Sequence, residues 1–216
     1  TDPLGLEPLV YAADARGLVF GTRSDGVLAH PAVPRALSAQ ALYDFVYFHM
    51  IPGPHTAYAA VQRLLPGQCL SWQAGRTELR TWWAPRFEEH DRRAEAELKR
   101  PFMHALEAGV QRALAHEAPE RIGCFLSGGT DSSTVAGLVT RLSGRPARCF
   151  SIGFDAPGYD EMDFARTAAA HFGCEHHEYY VTPADVVATA PRIARHFDQP
   201  FGNASAVPTY HCARFA

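Results

Sequence analysis

Apolar and polar positions divide the chain into two kinds of sequence. Two β-rich runs, residues 9–13 and 18–22, flank Asp14-Ala15-Arg16-Gly17, which predicts a hairpin-like turn. Ser38-Ala39-Gln40 reads as the cap of a helix carrying Leu42, Phe45, Val46 and His49, and Ile51-Pro52-Gly53-Pro54 breaks it. Residues 61–65 read as a strand ending at Pro66-Gly67, and 69–72 with 79–83 as a second hairpin turning at Ala74-Gly75. The stretch 86–100 is charged and nearly free of large apolar groups, as in a linker running into a helix. Leu98, Phe102, Leu106, Gly109 and Ala113 then recur at helical spacing, to about His116. From Ile122 onward strand and helix alternate: strand 122–126, helix 135–142, strand 147–154, a helix from about Asp160 stopped by Gly173, strand 177–181, helix 183–197 and a last helix 207–216. This alternation predicts an α/β fold with a parallel sheet and helices on both faces. Such sheets bind ligands at the carboxyl ends of strands, beside a switch point.

Composition narrows the picture. The 216 residues fit one large domain or two small ones, and a 47% hydrophobic content is enough for a real core. A net charge of −3 carries no polycationic footprint, so no nucleic-acid partner is expected. No apolar run is long enough to span a bilayer and no signal peptide is visible, so no membrane partner is expected. The five cysteines are scattered, odd in number and lack a CxxC pair, which argues against a disulfide framework and a zinc site and for a cytoplasmic location. His171, His176 and His177 lack metal-ligand spacing and read as surface or core histidines. The chain begins with Thr1 and stops inside an expected helix without a stop signal, so a piece of a longer protein is expected.

Candidate chemistry concentrates in Ser127-Gly128-Gly129-Thr130-Asp131-Ser132-Ser133, between the apolar run 122–126 and the helical positions Val135, Leu138, Val139 and Leu142. Strand, glycine turn and helix in that order make an anion site, because the first helical turn has free N–H groups and the positive end of the helix dipole. Two glycines let the backbone come close to a ligand. Ser127, Ser132 and Ser133 add hydroxyls. Asp131 would repel a phosphate unless a divalent cation lies between them. A glycine turn with an ordinary Ser/Asp helix cap is the plainer alternative.

The SGGTDSS segment resembles the pyrophosphate loop of the N-type ATP pyrophosphatases, and lacks the GK[ST] ending of a Walker A loop. Three further segments follow in the order and spacing of the glutamine-dependent asparagine synthetases. They are Phe150-Ser151-Ile152-Gly153-Phe154, then Tyr159-Asp160-Glu161 with Ala165-Arg166, then Asp198-Gln199-Pro200-Phe201-Gly202-Asn203 with the run 205–210. In the first half, the run 2–11, Ile51-Pro52-Gly53-Pro54 with Thr56, Leu65-Pro66-Gly67 and Trp82-Trp83 resemble the later part of that family's glutaminase domain. The resemblance covers nearly all of the chain but only the middle of the family's length.

The resemblance implies the following organisation. Residues 1–85 would be the C-terminal part of a β-rich, Ntn-hydrolase-type glutaminase domain (glutamine amidotransferase type 2), and 86–97 a linker. Residues 98–216 would be the first part of a parallel-sheet α/β ATP pyrophosphatase (PP-loop) synthetase domain. It also implies ATP-dependent amidation of aspartate to asparagine through an acyl-adenylate, with ammonia from glutamine and release of AMP and pyrophosphate. Phe125, Ser127, Gly128, Gly129, Asp131, Ser132 and Ile152 would bind ATP, and Asp131 would hold Mg2+. Phe125 and Ile152 equally suit plain strand core. Asp160, Glu161 and Asp198 would lie on the acceptor side or merely cap helices. The partners implied are ATP, aspartate and glutamine, with a homodimer possible. Three departures stand out: the family's cysteine nucleophile and its S-G-E-G-A-D-E segment are absent, and Thr22-Arg23 stands where many members have Ser-Glu. No catalytic residue is therefore assigned, and these 216 residues alone are expected to be inactive. Two alternatives stay open: a related amidotransferase or β-lactam-synthetase-like enzyme with another acceptor, and a nucleotide-binding protein without catalysis.

Overall fold

A side chain closes the first hairpin. Asp14 Oδ1 accepts hydrogen bonds from the N–H groups of Arg16 (2.8 Å) and Gly17 (3.1 Å). The turn folds β1 (Val10–Ala13) back against β2 (Leu18–Gly21) as an antiparallel pair. The short β3 (Gln62–Arg63) joins the other edge of β1, so the sheet order is β2-β1-β3. The expected strand 61–65 shrinks because Val61 and Leu64, on either side of β3, turn into the interior. The hairpin of β4 (Gln68–Gln73) and β5 (Arg76–Thr81) turns at Ala74-Gly75, as the sequence predicts. Both turn residues have positive φ, 50° and 78°, the twist that suits a two-residue hairpin.

Two helices lie among these strands. The one-turn α1 (Ser24–Leu28) is too short to show periodicity in the sequence. Ser38 caps α2 (Ala39–Phe48), its hydroxyl accepting from Ala41 N at 3.2 Å. Val10, Val27, Leu28, Val33 and Val61 form one core cluster, and Ala41, Ile51 and Ala57 another.

The computed structural model describes residues 1–87, 91–155 and 160–216. Its contacts group the chain into two units, Thr1–Glu89 with Ala194–Asn203, and His90–Ile193 with Ala204–Ala216. The segment Ala194–Asn203, distant in sequence, thus belongs with the first unit.

The second unit opens with α3 (Glu95–Leu114), which starts inside the stretch expected to be linker. Two glutamates in its first turn suit the helix dipole, and Glu97 Oε2 accepts from Ala94 N at 2.8 Å. The order is then β6 (Gly123–Phe125), α4 (Thr130–Ser143), β7 (Arg148–Phe154), α5 (Met162–Phe172), β8 (Glu175–Val181), α6 (Pro183–His196) and α7 (Ala206–Phe215). The three strands are parallel in the order β6-β7-β8, with Cys124, Cys149 and His176 in register. Among the described strands the order never reverses, so the glycine loop leaves the carboxyl end of an edge strand.

Alternate residues of the strands feed opposite faces. Cys124, Leu126 and Cys149 bury themselves against Ala136 and Val139 of α4 and Met162, Ala165 and Ala168 of α5. On the other face Phe150 meets Phe215 of α7, rings 5.7 Å apart, and Tyr179 stacks on His211 at 5.6 Å. Helices therefore cover both faces of the parallel sheet, as the alternation predicts. Among the described residues no helix is long and apolar enough to cross a membrane.

Candidate functional site

The loop is shaped by its own residues. After Phe125 the strand stops, and α4 begins at Thr130, five residues before the apolar pattern suggested. Asp131 and Ser132 are therefore helical, in the first turn, with Gly129 as the N-cap. Ser133 N donates to Gly129 O at 3.1 Å, the first bond of the helix. The N–H groups of Thr130, Asp131 and Ser132, ahead of it, have no intrahelical acceptor. They form the free donor set at the positive end of a 14-residue helix.

The serine hydroxyls brace the loop. Ser132 Oγ accepts from Ser127 N at 3.2 Å and lies 3.0 Å from Ser127 Oγ. Ser127 Oγ in turn accepts from Gly129 N at 3.3 Å. The hydroxyls expected to face a ligand are thus engaged with the loop, which leaves the backbone N–H groups as its free donors. Ser133 Oγ is buried with no hydrogen-bond partner among the described residues. Sequence reasoning named Ser133 as a hydroxyl but did not place it among the binding residues.

The two glycines have separate jobs. Gly128 has φ +82°, and a Cβ there would lie 2.4 Å from Phe164 C and 2.5 Å from Ala165 N. The loop therefore rests directly on the backbone of α5, and only glycine fits. A Cβ on Gly129 would meet only Ser127 Oγ, at 3.4 Å.

Phe125 and Ile152 lie on the α7 face of the sheet, at the carboxyl ends of β6 and β7. Phe125 is 49% exposed although it is a large apolar residue on a strand, and Ile152 is half-buried. Exposed apolar surface beside a donor-rich loop suits the flat face of a base. Asp131 is exposed, and its carboxylate has no hydrogen-bond or ion-pair partner among the described residues. The donor set, the free carboxylate and the apolar edge together fit a nucleotide triphosphate with a divalent cation.

The three acidic residues expected on the acceptor side are placed differently. Asp160 Oδ1 accepts from Phe154 N (3.3 Å) and Met162 N (3.4 Å), so it joins the end of β7 to the start of α5. Glu161 is the N-cap residue of α5 and its side chain is exposed. Tyr159, which precedes them in the motif, lies outside the described residues. Asp198 belongs to the first unit. Its carboxylate accepts from Ser24 N (2.6 Å), Ser24 Oγ (2.7 Å) and Gln199 Nε2 (3.0 Å). Gln199 Oε1 accepts from Ala57 N at 2.7 Å. These bonds tie the returning segment to α1 and to the core around Ala57.

Arg23 also gains a role. Its guanidinium donates to His196 O (2.5 Å) and Arg195 O (3.2 Å), carbonyls left open where α6 ends, and pairs with Asp25. A glutamate at this position would face those carbonyls with a negative charge. Among the described residues no group of three or more His, Cys, Asp or Glu side chains is arranged to hold a metal ion. A cation here would rest on Asp131 and on the ligand's own phosphates.

Residues 102–216 match the asparagine synthase family, and residues 1–83 match the glutamine amidotransferase domain. The glutamine-hydrolyzing asparagine synthetase 1 of Bacillus subtilis (strain 168) is 28% identical over 218 residues, covering 100% of this chain and 33% of the relative. The glutamine-hydrolyzing asparagine synthetase of Gallus gallus is 42% identical over 73 residues, 32% of this chain and 12% of its own. The amidase chyE of Penicillium rubens is 31% identical over 140 residues, 56% of this chain and 20% of its own. The chain spans between 33% and 42% of the length of the curated relatives that it matches along its full extent.

Proposed function

Because this chain belongs to the asparagine synthase family, we propose that it is part of an enzyme that amidates a carboxylate at the expense of ATP. The carboxylate is aspartate, the nitrogen comes from glutamine, and the products are asparagine, AMP and pyrophosphate. One observation carries the reading: a glutamine amidotransferase match over 1–83 is followed in the same chain by an asparagine synthase match over 102–216. On this reading residues 1–85 belong to a glutaminase domain of the Ntn-hydrolase type, and 98–216 to a PP-loop ATP pyrophosphatase domain.

The chemistry asks the protein to hold a triphosphate, to offset the charge that builds on departing pyrophosphate and to keep water away from an acyl-adenylate. In this reading the N–H groups of Thr130, Asp131 and Ser132 meet the phosphate oxygens. Gly128 lets the loop lie on the backbone of α5, Gly129 leaves the loop backbone uncovered, and Ser127 and Ser132 hold the loop rigid. Asp131 holds Mg2+, which screens the phosphate charge. Phe125 and Ile152 meet the base. Asp160 and Glu161 shape the acceptor side by fixing the start of α5, whereas Asp198, engaged by Ser24 and Gln199 within the first unit, braces the returning segment instead.

Calorimetric titration of the chain with Mg-ATP tests the site directly. Mg-dependent binding is expected, and Asp131→Asn should remove its dependence on Mg2+ while leaving the fold intact. Equal affinity for ATP with and without Mg2+ in the wild type would refute the role of Asp131. Exchange of labelled pyrophosphate into ATP, run on a chain extended to the length of the relatives, tests the acceptor. Exchange with aspartate supports the reading, whereas exchange only with another carboxylic acid assigns a different acceptor.

A further inference from the structure

The first peptide group of the loop, Leu126–Ser127, is clamped at both ends. Its N–H, on Ser127, donates to Ser132 Oγ. Its carbonyl, on Leu126, would meet a backbone N–H of β7 had β6 continued. Since β6 ends at Phe125, the side chain of Ser151 takes that place, with Oγ 2.5 Å from Leu126 O. Ser151 is only 2% exposed, so this bond forms away from solvent.

A carbonyl has no proton to give, so the Ser151 hydroxyl must donate to Leu126 O. It has no second proton. His176 Nε2 lies 2.7 Å from Ser151 Oγ and must therefore be the donor in that contact. The two residues are diagonal neighbours on one face of the sheet, since His176 is in register with Cys149 and Ser151 with Glu178. Burial lowers the basicity of His176, which keeps the ring neutral at pH 7 and its single proton on Nε2. Nδ1 faces Glu178 Oε1 at 3.6 Å, and Arg166 pins that carboxylate with bonds of 2.9 and 2.6 Å. Nδ1, left with a lone pair, makes no hydrogen bond to that carboxylate, so the ordered chain runs from His176 on β8 through Ser151 on β7 to the carbonyl before the loop.

We propose that His176 is a positioning residue for the loop: by donating to Ser151 it holds that hydroxyl on the Leu126 carbonyl and so fixes the first peptide group of the anion cradle. Its consequence for ligand binding rests on the nucleotide reading above. The clamp itself does not. His176 touches no ligand in this scheme and acts only through Ser151.

Two measurements on the same chain separate the two ideas. Amide hydrogen exchange at Ser127 and Gly128, without ligand, reads the clamp. Ser151→Ala and His176→Ala should each speed exchange there about fivefold, the worth of one hydrogen bond, while amides in α5 and β8 keep their wild-type rates. The double variant should be no faster than Ser151→Ala alone, because the histidine acts only through the serine. Additive effects, or an unchanged loop in His176→Ala, would overturn the proposal. Should the alanine variants fail to fold, His176→Gln and His176→Asn decide. Glutamine can still reach Ser151 and should exchange as the wild type does, whereas asparagine should be fast; equal rates would count against the clamp. Titration with Mg-ATP reads the second idea: wild-type binding weakened about fivefold in His176→Ala supports both, and no binding by the wild type defeats the nucleotide reading while the exchange data still judge the clamp.

Discussion

Gly128→Ala separates the two adjacent glycines of the loop. Gly128 sits at φ +82°, where an L side chain is strained by about 1–2 kcal/mol. The new methyl would also lie 2.4 Å from Phe164 C, a backbone atom of α5. That helix cannot slide away cheaply, because Met162 and Ala165 are each only 1% exposed in the core beneath it. Forcing an atom into such packing adds about 1–3 kcal/mol. The sum is about 3 kcal/mol, a large part of the about 5–15 kcal/mol that holds a typical domain together. The adjacent Gly129→Ala meets a flexible hydroxyl at 3.4 Å and has no positive φ, so its cost as a poorer cap is under about 1 kcal/mol. Hydrogen exchange of core amides in β7 reads this difference for the second unit alone. Protection in Gly128→Ala should fall about a hundredfold, since each 1.4 kcal/mol is about tenfold. In Gly129→Ala it should fall less than about fivefold. Equal protection in the two variants, or a fall of less than about tenfold in Gly128→Ala, would refute the reasoning.

Two further outcomes concern the first unit, which contains all three tryptophans, so their fluorescence follows its unfolding. Arg23→Glu removes two charged bonds to Arg195 O and His196 O and sets an anion at open carbonyls; the urea midpoint of the fluorescence transition should fall by about 0.5–1 M, as expected for about 1–2 kcal/mol. An unchanged midpoint would mean that this contact contributes nothing. Asp2 accepts from the N–H groups of Leu4, Leu6 and Glu7, and these bonds, led by that of Glu7, hold its pKa at about 2 against an ordinary 3.8. The folded state thus binds this proton less readily than the unfolded one, so the stability it contributes is present above pH 3.8 and is lost as pH falls towards about 2. Asp2→Asn should flatten the fluorescence midpoint across that window; the same slope in both chains would assign the acid sensitivity elsewhere.

Local signals carried much of this molecule. Asp14 and Gly17 made a turn, Ala74-Gly75 made another, Ser38 capped α2 and Gly173 ended α5, each through its own backbone preferences. The strand, glycine loop and helix around Ser127–Ser133 were legible for the same reason, and so was the alternation that became a parallel sheet with helices on both faces. The family resemblance was equally a property of the sequence, since it rests on residue order and spacing.

What the sequence could not decide depends on contacts between residues far apart in it. Gly128 and Gly129 are chemically identical, and only the backbone of α5 makes one irreplaceable. Asp198 looked like an acid for the acceptor side, yet Ser24, 174 residues away, takes both of its carboxylate oxygens. Arg23 looked like a departure from the family until the carbonyls of Arg195 and His196 came to meet it. Ser151 entered only as part of a family-like segment and His176 only as a surface or core histidine, because their partnership is set by strand register. Periodicity and turn chemistry act over a few residues and are written locally. The partner of a buried donor or carboxylate is fixed only when the chain folds back and brings distant atoms within hydrogen-bond reach.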